Sequence, residues 1–225
     1  MTDGVPPLDA DRLLALQSLA PERRAPIETL WMLDAVLGGQ LAAAGQPMIA
    51  QIRLAWWREA LDRLDREPPP AEPLLESVAG LLLPAGITGA ALARMAEGWE
   101  ILVAEERLSR NALETFARLR GTTLFRMSSE LLGGKRGAGV DAAGAAWSLV
   151  DLGRRSRDRE ERAAAFDLAR EEARRAARRW SRRLRPLGML ASVARRDLAR
   201  GSDRIEAAGV PPRTLRMLWL RLTGL

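Results

Sequence analysis

Apolar side chains recur every three or four residues through almost the whole chain, and hardly any segment alternates between apolar and polar residues. A repeat of three to four gives a helix one apolar face, whereas a half-buried strand needs a repeat of two. Proline, glycine and polar clusters divide this pattern into helix-length pieces. The sequence therefore predicts an all-α protein, and its length favours one domain. The predicted helices lie near residues 9–20, 25–44, 47–67, 73–82, 88–107, 110–133, 141–153, 159–185, 187–200 and 212–223.

Three reactive residue types are missing, because the 225 residues include no histidine, cysteine or tyrosine. Their absence excludes cysteine and histidine nucleophiles, Ser-His-Asp triads, disulfides and zinc sites built from histidine or cysteine. The polar chemistry that remains belongs to Asp, Glu, Ser, Thr, Arg and a single lysine, Lys135. Carboxylates that bind magnesium are the main metal option left.

Basic residues concentrate in the last third of the chain. Residues 151–225 contain 20 basic and 10 acidic side chains, whereas residues 1–150 contain 15 and 19. Such a surface suits phosphate-rich partners, either nucleic acid or an anionic membrane. Nearly all the basic residues are arginine in a chain rich in Ala, Gly and Leu, which also fits the codon bias of a GC-rich genome. We therefore expect a nucleic-acid partner least.

The first residues, MTDGVPPLDADR, lack the basic and apolar regions of a signal peptide. The longest uncharged runs, residues 35–52 and 77–93, are interrupted by Gly, Pro or Gln, which is unfavourable for a membrane-spanning helix. We expect a cytoplasmic protein that can lie peripherally on the inner face of the membrane.

Residues 51–61, QIRLAWWREAL, place two tryptophans side by side on a predicted helix. Because adjacent helical residues point about 100° apart, one apolar face cannot hold both. Trp57 continues a core face that includes Leu54, so we expect it to be buried. Trp56 lies beside Arg53, which has no acid three or four residues away, so this pair is expected to face another helix or a cavity.

Four segments in order resemble the squalene/phytoene synthase family: IRLAWWREAL, RGTTLFRMSSELLGG at 120–134, AGAAWSLVDLGRR at 143–155 and PPRTLRMLWLRLTGL at 211–225. The resemblance covers about residues 25–225 and implies one domain there, preceded by an N-terminal segment, 1–24. It further implies the all-α isoprenoid synthase fold, a helical bundle around a deep and mostly apolar cavity. Enzymes of this family join two prenyl diphosphates, which they bind through magnesium held by two Asp-rich motifs.

Both Asp-rich motifs are degenerate when the family pattern is laid on this chain. The DDxxD positions of the first motif fall on Gly38, Gly39 and Ala42. The two aspartates of the second motif fall on Arg155 and Arg159. A guanidinium group in place of a carboxylate puts positive charge where a metal ion would bind. The resemblance therefore implies that magnesium is bound only if the chain is an active enzyme, and that there is otherwise no cofactor.

The same alignment identifies residues that would line the cavity or bind an anion. Trp31 and Trp147 lie on the motif helices and are expected to be core residues that also line the cavity. Asp151 stands where the family has asparagine. The candidate ligand-binding residues are Arg53, Trp56, Trp31, Trp147, Asp151, Arg154 and Arg155. No residue is assigned a catalytic or metal-binding role.

We expect a non-catalytic relative of these enzymes, similar to the assembly factors of the mitochondrial NADH dehydrogenase that the family includes. Its partner would be an isoprenoid or other lipid, or a membrane protein complex. The C-terminal helix, with Arg213, Arg216 and Arg221, would suit an anionic membrane surface. The first alternative is an active prenyltransferase that holds diphosphate through Arg53, Arg154 and Arg155. A basic nucleic-acid-binding protein is a remote second alternative, since Trp180 belongs to an apolar stripe and not to the basic face.

Overall fold

A computed structural model of the chain describes residues 8–43, 46–105, 107–135 and 137–225. It confirms the all-α prediction, since the described residues form helices and connecting turns without a strand. The helices are α1 (Ala10–Gln17), α2 (Pro21–Ala43), α3 (Pro47–Arg63), α4 (Pro73–Leu81), α5 (Gly89–Ala104), α6 (Arg110–Phe116), α7 (Thr123–Leu131), α8 (Ala138–Arg155), α9 (Arg159–Arg175), α10 (Arg185–Arg200) and α11 (Pro211–Thr223). A π-helical segment (Ala117–Thr122) joins α6 to α7, and a 3₁₀ turn (Arg182–Leu184) precedes α10.

The helices begin where local chemistry satisfies their first backbone N–H groups. Thr88, Ser109 and Asp158 each accept a hydrogen bond from a backbone N–H group in the first turn of the helix that follows. Pro47 and Pro211 stand at the first turn of α3 and α11, where a missing N–H group costs nothing. These signals explain why most predicted helix starts lie within a few residues of the observed ones.

The predicted helix 159–185 was wrong in its second half, because α9 ends at Arg175. Beyond it the backbone bonds to distant segments: Ala177 N–H donates to the Gly139 carbonyl at 2.9 Å and Trp180 N–H to the Gly224 carbonyl at 2.9 Å. Continuing the helix would stack pairs of arginines four residues apart, which is unfavourable. Tertiary hydrogen bonds therefore replace the helical ones in this segment.

One hydrophobic core runs through the bundle, with α2, α5, α7, α8 and α10 at its centre. The largest fully buried side chains include Trp31, Phe116, Phe125 and Phe166, together with Arg120, a charged residue. Burial of a charged side chain is costly unless it is paired, so the surroundings of Arg120 mark the part of the core where a function could reside.

No helix within the described residues is long and apolar enough to cross a bilayer.

Candidate functional site

Two aspartates face each other across the centre of the bundle, and one arginine lies between them. Asp34 belongs to α2, Asp151 to α8, and Arg120 to the π-helical segment. Arg120 Nε donates to Asp34 Oδ1 at 2.8 Å, and Arg120 Nη2 donates both to Asp34 Oδ2 at 2.9 Å and to Asp151 Oδ2 at 2.7 Å. A single guanidinium group thus bridges α2 and α8.

The π-helical segment brings Arg120 to this position. Within 117–122 each backbone hydrogen bond spans five residues instead of four, which widens the helix locally, and such segments are frequent at functional sites. The neighbouring Gly121 lies directly against Gly144 of α8, and a Cβ atom at either glycine would collide with the backbone of the other helix. Because neither residue has a side chain, the π segment and α8 approach closely enough for Arg120 to contact Asp151.

Two more arginines complete the central cluster, which we define as Arg12, Asp34, Arg120, Asp151 and Arg155. Arg12, on α1, donates to Asp34 Oδ2 at 2.7 Å and to the Trp31 carbonyl at 3.2 Å. Arg155, at the end of α8, donates to Asp151 Oδ1 at 3.1 Å. Asp34, Arg12 and Arg120 are almost completely buried, whereas Arg155 extends to the surface.

Aromatic rings surround the guanidinium group of Arg120. Its Cζ atom lies 4.1 Å from the ring centre of Trp99, 5.0 Å from that of Trp147 and 5.4 Å from that of Phe116. The Trp99 indole N–H also donates to Asp34 Oδ1 at 3.2 Å. Cation–π contacts are strongest where water is excluded, so these rings hold the buried cation in place.

The electrostatics favour the charged forms of Asp34, Asp151 and Arg120. Burial alone would raise the pKa of Asp34, but the nearby guanidinium groups of Arg120 and Arg12 outweigh it and hold that pKa below its usual value. The pKa of Asp151 is likewise lowered, because Arg120, Arg155 and Arg12 overcome the effect of burial. Burial opposes the charge of Arg120, yet the two carboxylates raise its pKa above the usual value. The cluster is therefore an internal ion network that persists at neutral pH.

A second cluster, defined as Asp11, Arg154, Asp197 and Arg213, links α1, α8, α10 and α11. Arg213 Nε and Nη2 donate to Asp11 Oδ2 at 3.0 and 2.6 Å, and Arg213 Nη1 donates to Asp197. Arg154 donates to Asp197 Oδ2 at 2.8 Å. Burial opposes the charge of Arg213, but Asp11 and Asp197 raise its pKa above the usual value. Arg213 is thus a buried anchor of α11, and the prediction that it lies on a membrane-facing surface was wrong.

Comparison with known proteins identifies the family. A family model described as squalene/phytoene synthase matches residues 6–220. The chain belongs to the squalene/phytoene synthase family. No curated protein and no solved structure matches the chain significantly. The match includes α1, so Arg12 lies inside the matched region together with α2 and α8.

Four of the five positions predicted to be degenerate Asp-rich motif positions lie at one cavity of about 280 Å³. Gly38, Gly39, Ala42 and Arg155 line it, together with members of the central cluster. Arg159, the last aligned position, lies instead on the exposed start of α9, where it pairs with an acid of a neighbouring loop. Among the described residues, no group of three or more carboxylates is arranged to hold a metal ion.

A second cavity, of about 260 Å³, is lined in part by Asp151 and shares Arg155 with the first. Trp147, Asp151, Arg154 and Arg155 line it, so the structure brings these four predicted residues together. Trp31 is buried in the core nearby, where its indole N–H donates to Ser128 Oγ at 3.0 Å.

The two remaining predicted residues lie elsewhere. Trp57 is buried, as predicted, but Trp56 is 44% exposed and lines a surface groove with Arg63, Pro68 and Pro70. Arg53 is also exposed on α3. The prediction that Trp56 and Arg53 face another helix or an inner cavity was wrong, because no other helix among the described residues covers this face of α3.

Sequence reasoning did not identify Arg12, Arg120 and Asp34 as one cluster, although each position carries a signal. Arg120 continues an apolar helical stripe that includes Leu113 and Phe116, which predicts that its side chain points into the core. A charged residue on such a stripe requires a buried partner. The spacing gives no information about which helix supplies that partner.

Proposed function

We propose that this chain is a non-catalytic member of the squalene/phytoene synthase family, in which an internal arginine–aspartate network occupies the place of the magnesium–diphosphate centre. It would act by binding, either of an isoprenoid or other lipid or of a membrane protein complex whose assembly it assists. The family includes assembly factors of the latter kind.

The observation that supports this proposal is the position of Arg120 between Asp34 and Asp151. Magnesium prefers six oxygen ligands at about 2.0–2.1 Å in an octahedral arrangement. Here the two carboxylates that face each other are already bound by a guanidinium group at 2.7–2.9 Å, and Arg12 neutralises Asp34 further. This donor set fits an arginine and does not fit magnesium.

Packing around the first motif supports the same conclusion. A Cβ atom at Gly38 would lie 2.8 Å from the Trp99 ring, so a carboxylate side chain there would displace the tryptophan that holds Asp34 and Arg120. The two cavities beside the central cluster are lined in part by charged side chains. Each is smaller than the roughly 300–1,000 Å³ of typical small-molecule sites. A centre filled in this way favours a function carried by the outer surface.

The alternative enzyme would hold diphosphate through arginines instead of metal. Of the three arginines considered for that role, Arg53 lies on the outer face of α3 and Arg154 is held by Asp197 and the Glu206 carbonyl. Arg155 alone of the three lines the cavity at the motif positions. Arginines bind phosphate well, but a single exposed guanidinium group supplies little of the electrostatic stabilisation that a leaving diphosphate needs.

The test measures the thermal unfolding midpoint with farnesyl or geranylgeranyl diphosphate, each with and without magnesium, and analyses the same mixtures for prenyl products. A ligand that binds only the folded state must raise the midpoint. We expect no magnesium-dependent shift and no coupled product. A shift that requires magnesium, or product formation, would refute the non-catalytic proposal.

A shift caused by the lipid diphosphate alone would assign the lipid-binding function, and Arg155→Met should then abolish it. Arg53→Met is the matched control, because it removes an exposed arginine of α3 that does not line the cavity. No shift under any condition would favour a protein complex as the partner.

A further inference from the structure

The C-terminal helix α11 has one face buried against the bundle and one face exposed to solvent. Its inner face, Arg213, Met217 and Leu220, is buried. Its outer face carries three exposed apolar side chains at spacings of four and three residues, and a fourth follows the end of the helix. This outer stripe consists of Leu215, Trp219, Leu222 and Leu225, which are 67, 58, 75 and 49% exposed. A contiguous apolar stripe of this kind on a surface helix marks an interaction site.

Arginines flank the stripe on both sides. At about 100° per residue, Arg216 falls on one flank of the stripe and Arg221 on the other. Neither forms an ion pair with a carboxylate among the described residues. The segment 178–185 packs against the end of the helix, since Trp180 N–H donates to the Gly224 carbonyl and Arg185 Nη1 donates to the Arg221 carbonyl at 2.8 Å.

That neighbouring segment adds more positive charge. Arg178, Arg179 and Arg182 are exposed there and pair with no acid that the structure describes. The pKa of Arg195 is lowered, first by burial and then by repulsion from Arg178 and Arg216, which shows that like charges lie close together in this region. In the same part of the chain, the carboxylates of Asp197, Asp203 and Glu206 are all engaged by other arginines.

We propose that the outer stripe of α11, with its flanking arginines, docks on an anionic lipid surface. The apolar side chains would enter the boundary between headgroups and acyl chains, while the arginines on both flanks contact anionic headgroups. Trp219 suits this depth, because indole rings favour the membrane interface. Charge complementarity selects a membrane as the occupant, since nothing in an uncharged apolar partner would offset the unpaired arginines.

This inference deepens the proposed function, because it names the surface through which a protein with a filled centre would act. The two can fail separately. Loss of vesicle binding leaves the results with prenyl diphosphates and magnesium unchanged, and catalytic activity would leave vesicle binding unchanged.

The test is co-sedimentation of the full chain with vesicles of phosphatidylcholine alone or of phosphatidylcholine mixed with phosphatidylglycerol, at low and high salt. We expect binding to the anionic vesicles only, weakened by salt. Leu222→Ser should weaken that binding by about tenfold. Replacement of Arg216 and Arg221 by Glu should weaken it by at least about fivefold per residue.

Ile52→Ser provides the matched control, because Ile52 is 65% exposed on α3, where Arg58 and Arg63 are paired with acids and Arg53 is the one neighbouring arginine without an acid among the described residues. It should bind as the unaltered chain does. Equal binding to neutral vesicles, no binding to anionic vesicles, or an equal loss in Ile52→Ser would each overturn the proposal. An effect of the arginine variants without any effect of Leu222→Ser would also overturn it, and would indicate a polyanion such as nucleic acid.

Discussion

Replacing Arg120 by methionine tests the central cluster most directly. Methionine keeps much of the side-chain length but removes the three hydrogen bonds that Arg120 donates to Asp34 and Asp151. Removing one partner of a buried ion pair costs about 3–5 kcal/mol, because the remaining charge is left in the core. Arg12 still neutralises part of the charge on Asp34. We therefore expect a loss toward the lower end of that range in the free energy of unfolding.

The assay is urea denaturation at pH 7, followed by tryptophan fluorescence and circular dichroism, and then repeated at lower pH. Without Arg120, burial and repulsion from Asp151 raise the pKa of Asp34, so that protonation relieves the penalty as the pH falls. The stability difference between the variant and the unaltered chain should therefore narrow between pH 7 and pH 4.

Arg110→Met is the matched control. Arg110 lies ten residues earlier on the same continuous helix and bonds to two glutamates, but it is exposed. Its replacement should leave the free energy of unfolding close to that of the unaltered chain, because solvent screens such pairs. If Arg120→Met and Arg110→Met destabilise equally, or if the loss does not depend on pH, the reasoning that burial gives the central cluster its importance is wrong.

Three further outcomes are expected. Trp57→Ala should lower the free energy of unfolding by about 3–5 kcal/mol, because it removes a buried aromatic side chain. Trp56→Ala should lower it by about 1 kcal/mol, the interaction energy of one aromatic pair. Urea denaturation measures both values. Gly121→Ala should destabilise the protein strongly, because the added Cβ atom would collide with α8. Gly80→Ala on α4 should stabilise it by about 0.5–1 kcal/mol, because nothing lies within 4 Å of the added atom. Equal shifts of the thermal unfolding midpoint in the two variants would contradict this reasoning. The free energy of unfolding of the unaltered chain should fall as the pH drops below 3.8, because aspartate in the unfolded chain then binds protons while Asp34 in the folded chain stays ionised. Urea denaturation at several pH values measures this dependence, and Asp34→Asn should make it weaker below pH 3.8.

The fold could be predicted because the apolar repeat determines which face of each helix is buried. On α3 the repeat places Leu54, Trp57 and Leu61 in the core, and all three are buried. The end of α9 could not be predicted, because the backbone N–H groups of Ala177 and Trp180, which follow it, donate to carbonyl groups of Gly139 and Gly224, which are distant in the sequence. A local pattern contains no information about such distant acceptors.

The candidate site could be predicted only in part, for a related reason. The predicted motif positions indicated that α2 and α8 face one another, and the predicted residues Asp151 and Arg155 both line a cavity beside these helices. The pairing of Arg120 with Asp34, 86 residues away, depends on the π-helical segment and on the close approach of Gly121 to Gly144. Helical periodicity assumes 3.6 residues per turn and does not represent such a widened segment.

Stability alone does not explain why the centre of the bundle holds charges. A well-packed apolar core is often as stable as a buried ion network, or more so. The network does impose geometry: Arg120 reaches both carboxylates only at one separation of α2 and α8, and Arg213 reaches Asp11 and Asp197 only when α11 lies against α1 and α10. The two clusters therefore fix the orientation of the helices that carry the outer surface. A protein that acts through that surface gains from such a core even when no reaction takes place inside it.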